Sequence, residues 1–264
     1  MMTIQQIATK HNIDTNKENF PINTIRLFYL ILIYSLVKEN PEEKAEKIIN
    51  AIPIISSILS KRTELRLSGD KKDINNEWLG SNEEIKRLND LIPNADQSLV
   101  YLFSMVLPTQ EDLLFNIVNQ SQNEGKTFNH GDIISTLKLR AMDSIAYSNL
   151  VCQLVNQPQH NLAIHYLTNL VYQTNDLLDS ILFAKEDTEN NNFSPFEIIR
   201  KSAKNSIEAK QIINLILERM LSDMRQVKLP EETQQQVDEF FQLFSNILGY
   251  EAEKEAFEET TLSE

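Results

Sequence analysis

A chain of 264 residues with 41% hydrophobic content can bury one sizeable helical core or two small ones. Its five glycines and eight prolines are together less than half of the roughly 12% found in average usage, which argues against turn-rich β-sandwiches, glycine-looped nucleotide folds and disordered chains. A net charge of −13 would repel a phosphate backbone, so no nucleic-acid partner is expected.

Residues 1–20 form a polar lead in which Ile4, Ile7 and Ala8 can make a short helix. A domain is expected over 21–257, followed by an acidic tail at 258–264. Asn23 or Thr24 is placed to cap a helix running to about Lys38, and Asn40-Pro41 ends it. Within it, Leu27 to Val37 (LFYLILIYSLV) is the most apolar stretch of the chain. Its eleven residues fall short of the roughly 18–20 that a membrane span needs, so it reads as a helix buried on all sides, with no integral membrane association. The polar residues before it are unlike a basic signal region. The next segment opens PEEKAEKIINAI, with Glu42 and Glu43 at the positive end of a helix dipole. Residues 66–83 read as a loop. Helical periodicity then resumes at about 82–92, 96–106, 109–121, 131–156, 159–186, 195–225 and 230–257. Prolines 93, 108, 158, 195 and 230 lie at or near the proposed starts. No alternating strand pattern competes, and the fold class is all-α, a single antiparallel helical bundle.

The stretch richest in chemistry is 171–200, VYQTNDLLDSILFAKEDTENNNFSPFEIIR. Asn175 and Asp179 are four apart and share a helix face. On a continued helix Glu186 falls about 20° from Asn175 in projection, with Asp176 and Asp187 beside the stripe. Hard cations such as Mg²⁺ take oxygen ligands and complete their shell with water or substrate phosphates. Facing a cavity, this stripe could hold Mg²⁺ against a diphosphate; facing water, it is an ordinary acidic surface.

The run Asn175-Asp176-Leu177-Leu178-Asp179 followed by Lys185-Glu186 resembles the second metal-binding motif of class I terpene synthases, Asn-Asp, then Ser or Thr, then Lys-Glu. The polar DTENNN run, the helices after it and the last helix ending ILGY are similar to the region downstream of that motif in the family, so that the resemblance covers roughly Leu162 to Phe257. The trans-prenyl and phytoene synthases share the fold, and YQTNDLLD is similar to their second aspartate-rich region as well. The resemblance implies an isoprenoid-synthase bundle, a prenyl diphosphate substrate, and Mg²⁺ held by Asn175, Asp176, Asp179 and Glu186. It also implies substrate contacts from Lys185, Tyr172 and Tyr147. A basic residue is expected on the helix STLKLRAMDSIAYSNL, where Arg140 would be the catalytic diphosphate ligand and Lys138 a secondary candidate; an Arg140–Asp143 pair is the alternative.

The pattern also departs from the family. The third ligand is expected eight residues after the Asn, at Phe183, and Ala256-Phe257 stand where an Arg-Tyr pair is expected. No DDxxD exists; Asp70 with Asp73, and Glu111 with Asp112, are the nearest substitutes. Among the aromatics, Phe103, Phe115, Tyr147, Tyr172, Phe183, Phe240, Phe241 and Phe244 could line a prenyl pocket or simply fill the core.

Cys152, the only cysteine, offers neither an internal disulfide nor a cysteine-based zinc site and reads as a small core residue, in keeping with a reducing cytoplasm. His160 and His165 lie about 140° apart on a helix, so a two-histidine metal site is not expected. Two functions remain open: a class I isoprenoid synthase diverged in its first aspartate motif, or a non-catalytic helical interaction protein with the same fold. A homodimer is compatible with either.

Overall fold

A computed structural model describes residues 2–14, 20–67, 81–108, 110, 113, 116–117, 120, 128–184 and 194–261. Among these residues all regular structure is helical. The helices are α1 (Ile4–Lys10), α2 (Phe20–Leu36), α3 (Pro41–Leu67), α4 (Asn82–Leu91), α5 (Ala95–Tyr101), α6 (His130–Arg140), α7 (Ser144–Val155), α8 (Asn161–Leu182), α9 (Pro195–Ser202), α10 (Ser206–Met224) and α11 (Glu231–Thr261).

Two helices organise the packing. The apolar run in α2 is enclosed as expected, with every residue from Leu27 to Ile33 fully buried. It packs against α3, α7, α8 and α11. Helix α8 packs against α2, α6, α7, α9, α10 and α11. Such all-round burial needs a stretch with no polar face, and Leu27–Ile33 has that composition. No helix among the described residues is long and apolar enough to cross a membrane.

The side-by-side packing of α7 and α8 follows from the short link at Asn156–His160. Cys152 lies beside the Asn161 carbonyl, Ser148 beside His165, and Ser144 beside Asn169, so one helix descends as the other climbs. The adjacency expected for segments 131–156 and 159–186 is thus observed.

Several boundaries differ from the sequence expectation. Helix α2 begins at Phe20 and Thr24 is fully buried inside it, so neither Asn23 nor Thr24 is its cap. Segment 131–156 is interrupted by a 3₁₀ turn at Ala141–Asp143. There the Leu139 carbonyl accepts from Gln110 Nε2 and the Ala141 carbonyl from Asn169 Nδ2, so side chains take bonds that a continuous helix would supply. Segment 195–225 is likewise two helices: Ala203 is extended, and Asn205 caps α10 by accepting from the Glu208 amide. After α5 the chain runs through a π-helical turn at Leu102–Val106. Helix α11 runs through Thr261, so the last helix continues into the acidic tail.

Asparagine takes the part glycine usually plays at the turns. Asn12, Asn40, Asn94 and Asn156 have φ of 52°, 50°, 61° and 53°. Asparagine is the residue other than glycine that enters this left-handed region most readily. In a chain with five glycines, these four positions mark the ends or beginnings of α1, α3, α5 and α7.

Helix α4 illustrates how the bundle is fastened. Glu84 accepts from the Ser81 amide at 2.9 Å, from Ser57 Oγ at 3.0 Å and from Lys61 Nζ at 2.7 Å, joining α4 to α3. These bonds, Lys61 first, lower its pKa from 4.5 to about 2. A carboxylate depressed in the folded state stabilises the fold above its unfolded pKa and loses that stabilisation as pH falls through the folded value. Urea midpoints should therefore drop between pH 4.5 and about 2, and Glu84→Gln should flatten that drop. An unchanged pH profile in the variant would show that Glu84 does not contribute to acid sensitivity.

Candidate functional site

Two of the predicted site residues, Arg140 and Asp176, come together where α6 meets α8. Arg140, the last residue of α6, forms a bidentate pair with Asp176: Nε donates to Oδ2 at 2.6 Å and Nη2 to Oδ1 at 2.8 Å. Asp176, expected as a metal ligand, is thus a partner of the Arg140 fork. The two side chains are 30% and 21% exposed. Beside them, Asn175 is partly buried and its Oδ1 is enclosed with no hydrogen-bond partner. Asp179 is exposed, one turn further along α8.

Tyr172 and Tyr147, the expected substrate contacts, lie one layer inward. Their rings are 5.6 Å apart, and Tyr147 stacks on Tyr29 of α2 at 6.3 Å. Ser56 of α3 bonds the Tyr147 hydroxyl at 2.9 Å. Burial pushes the Tyr147 phenol up to about 12 and those of Tyr29 and Tyr172 well above their ordinary value. The Tyr29 hydroxyl is buried beside Thr168 and Tyr172. Tyr172, Tyr147 and Tyr29 thus form a row of three neighbouring rings. Asp143 adds negative charge near Tyr147 and Tyr172.

Other expected site residues behave differently. Helix α8 ends at Leu182 with Phe183 as its C-cap, so the projection that aligned Glu186 with Asn175 has no continuous helix to follow. Glu186 and Lys185 themselves, with Asp187, lie outside the described residues, as do Asp70, Asp73, Glu111, Asp112 and Phe115. Phe183 is 46% exposed, whereas Phe240, Phe241 and Phe244 form a buried aromatic cluster with Phe28. Those three fill the core. Phe103 is buried also.

Asn175 and Asp179 offer oxygens on one face, and the Asn175 Oδ1 lacks any other partner. One or two protein donors plus phosphate oxygens is ordinary Mg²⁺ coordination, and these two residues carry oxygens of that kind. Among the described residues no three His, Cys, Asp or Glu side chains form a cation-holding group. Neither the cavity beside Cys152 nor the one between α3 and α4 is lined by Asn175, Asp176 or Asp179.

A second constellation is invisible in the sequence. Cys152, expected as core, and His165 line a cavity of about 440 Å³ between α5, α7 and the start of α8. The pair is separated by 13 positions on two antiparallel helices, which no short spacing motif records.

Compared with known proteins, the chain matches no family model, no curated protein and no solved structure.

Proposed function

We propose that the chain is an all-α protein of the class I isoprenoid-synthase type that takes a prenyl diphosphate at the mouth formed by Arg140, Asn175, Asp176 and Asp179. The observation that carries this reading is the Arg140 fork. It joins the end of α6 to Asp176 of α8, the residue after Asn175 and one turn beyond Tyr172. A guanidinium that grips a carboxylate bidentately has the geometry to grip a phosphate in the same way. Asn175 and Asp179 would hold Mg²⁺, which supplies Lewis-acid assistance to a departing diphosphate. Arg140 would exchange Asp176 for the diphosphate oxygens, and the apolar faces of Tyr147 and Tyr172 would border the prenyl chain. A cytoplasmic location goes with this reading.

One observation favours the alternative, a non-catalytic helical interaction protein. Asp176 already neutralises Arg140, and Asp179 faces solvent.

The two readings diverge in one assay. With Mg²⁺ and geranyl, farnesyl or geranylgeranyl diphosphate, the protein should release pyrophosphate from at least one. Asn175→Ala with Asp179→Ala should abolish release, and Arg140→Ala should slow it about 10²-fold, the usual effect of removing one charge-stabilising donor. Lys61→Ala, at the α3–α4 contact, should leave it unchanged. Absence of turnover and of any Mg²⁺–pyrophosphate effect on the melting temperature would leave the interaction protein as the reading.

A further inference from the structure

We propose that the cavity between α5, α7 and the start of α8 binds an uncharged purine, free or as its nucleoside, through carboxamide hydrogen bonds and a stack on Tyr101. It lies about eleven residues along α8 from Asp176, roughly 17 Å at 1.5 Å per residue, and is independent of the diphosphate reading. Its volume of about 440 Å³ falls in the range of small-ligand sites, about 300–1,000 Å³.

The lining carries no charge to pair with a charged ligand. Although 24% of the chain is charged, no Asp, Glu, Lys or Arg among the described residues lines this cavity. Burial pushes the Cys152 thiol up to about 12 and lowers the pKa of His165, so both are uncharged at neutral pH. A cavity without a cation offers nothing to a phosphate, and a chain of net charge −13 repels one. Without a carboxylate it offers no partner to a cationic ligand either. A neutral occupant follows.

What the lining does offer is unspent hydrogen bonding. Asn149, Gln153 and Asn156 recur along one side of α7 and its C-cap at spacings of four and three, and Gln97 joins them from α5. None of these four side chains has a hydrogen-bond partner among the described residues. Gln157 beside them is engaged, donating to the Leu36 carbonyl and accepting from Gln159. The deficit is sharpest at Ser98. It is 7% exposed and lines the cavity, and its hydroxyl bonds to no described residue. A buried polar group without a protein partner takes one from water or a ligand, and here the cavity is the space that holds it.

A carboxamide presents an N–H donor and a C=O acceptor side by side. Adenine presents the complementary pair, the N6 amino group next to the N7 acceptor, which Asn or Gln meets with two bonds at once. The aromatic element is Tyr101. It follows Gln97 by one helical turn, lines the cavity and is 53% exposed, so its ring is open to stacking. Carboxamides on an edge and an aromatic ring on a face are how an unpaired base is held.

Titrating the full chain with adenosine in a calorimeter should show one site with a Kd below about 1 mM. Adenosine monophosphate should bind at least about tenfold more weakly, because its phosphate brings negative charge to a site without a cation. Ribose alone should not bind. Tyr101→Ala should weaken adenosine about tenfold, and Asn149→Ala with Gln153→Ala should abolish saturation. Tyr101 and Gln153 are exposed, so unchanged circular dichroism is expected in both variants. No adenosine binding up to about 1 mM, a monophosphate as tight as the nucleoside, ribose as tight as adenosine, or a Tyr101→Ala variant of full affinity would each overturn the site.

Discussion

Phe240→Ala should destabilise the protein by about 3–5 kcal/mol, the range for emptying a fully enclosed aromatic site. Phe240 is inaccessible to solvent and packs against Phe28 at 5.3 Å, Phe241 at 5.7 Å and Phe244 at 6.0 Å. Helices α2 and α11 are joined through these rings, so the cavity left by truncation cannot collapse without moving both. The check is urea unfolding: the midpoint should fall with an unchanged slope, because the surface exposed on unfolding is nearly the same. Phe183→Ala, at a ring already 46% exposed, should shift it by less than about 1 kcal/mol. Equal losses at both positions would mean that the cluster does not anchor the bundle.

That pair also shows why the sequence could rank aromatics by type but not by role. Periodicity placed Phe183 and Phe240 alike on helices. Whether each faces the core depends on where its helix stops and what packs on it. Helix α8 stops at Leu182, so Phe183 turns outward, and its capping carries no glycine or proline signal. The long apolar run of α2 was legible because it needs no partner to identify a buried face. The break at Ala141–Asp143 was not, since the carbonyls around it are taken up by Gln110 and Asn169 reaching across from other segments. Other boundaries do carry local signals, at the residues themselves. Asn205 followed by Glu208 marks the start of α10, and Asn156 the end of α7.

The candidate site divides in the same way. The four-residue spacing of Asn175 and Asp179 sets their shared face through helix geometry alone. The match between Arg140 and Asp176 is tertiary: it requires α6 to end beside the middle of α8, which the antiparallel turn at Asn156–His160 brings about. The Cys152–His165 pair depends on that same turn and on nothing local.

The Arg140–Asp176 pair should behave as one energetic unit. Both side chains are less than one third exposed, so their charges are only partly screened. Charge-assisted hydrogen bonds of this kind contribute about 1.5–3 kcal/mol, and losing one partner leaves the other charge half-buried without compensation. Arg140→Ala and Asp176→Ala should each cost about 1–3 kcal/mol in urea unfolding. The double variant should cost little more than the worse single one, because the second truncation removes a charge already stranded. Additive losses would mean that the fork contributes nothing as a pair. Asp176→Asn then separates structure from binding. It keeps the shape of the carboxylate while withdrawing its charge, so Arg140 is released toward any phosphate at the mouth. Pyrophosphate affinity in the presence of Mg²⁺ should rise about tenfold if Arg140 is a diphosphate ligand held in reserve by Asp176, since the ion pair no longer competes. Unchanged affinity would detach Arg140 from phosphate binding and assign the fork to holding α6 against α8.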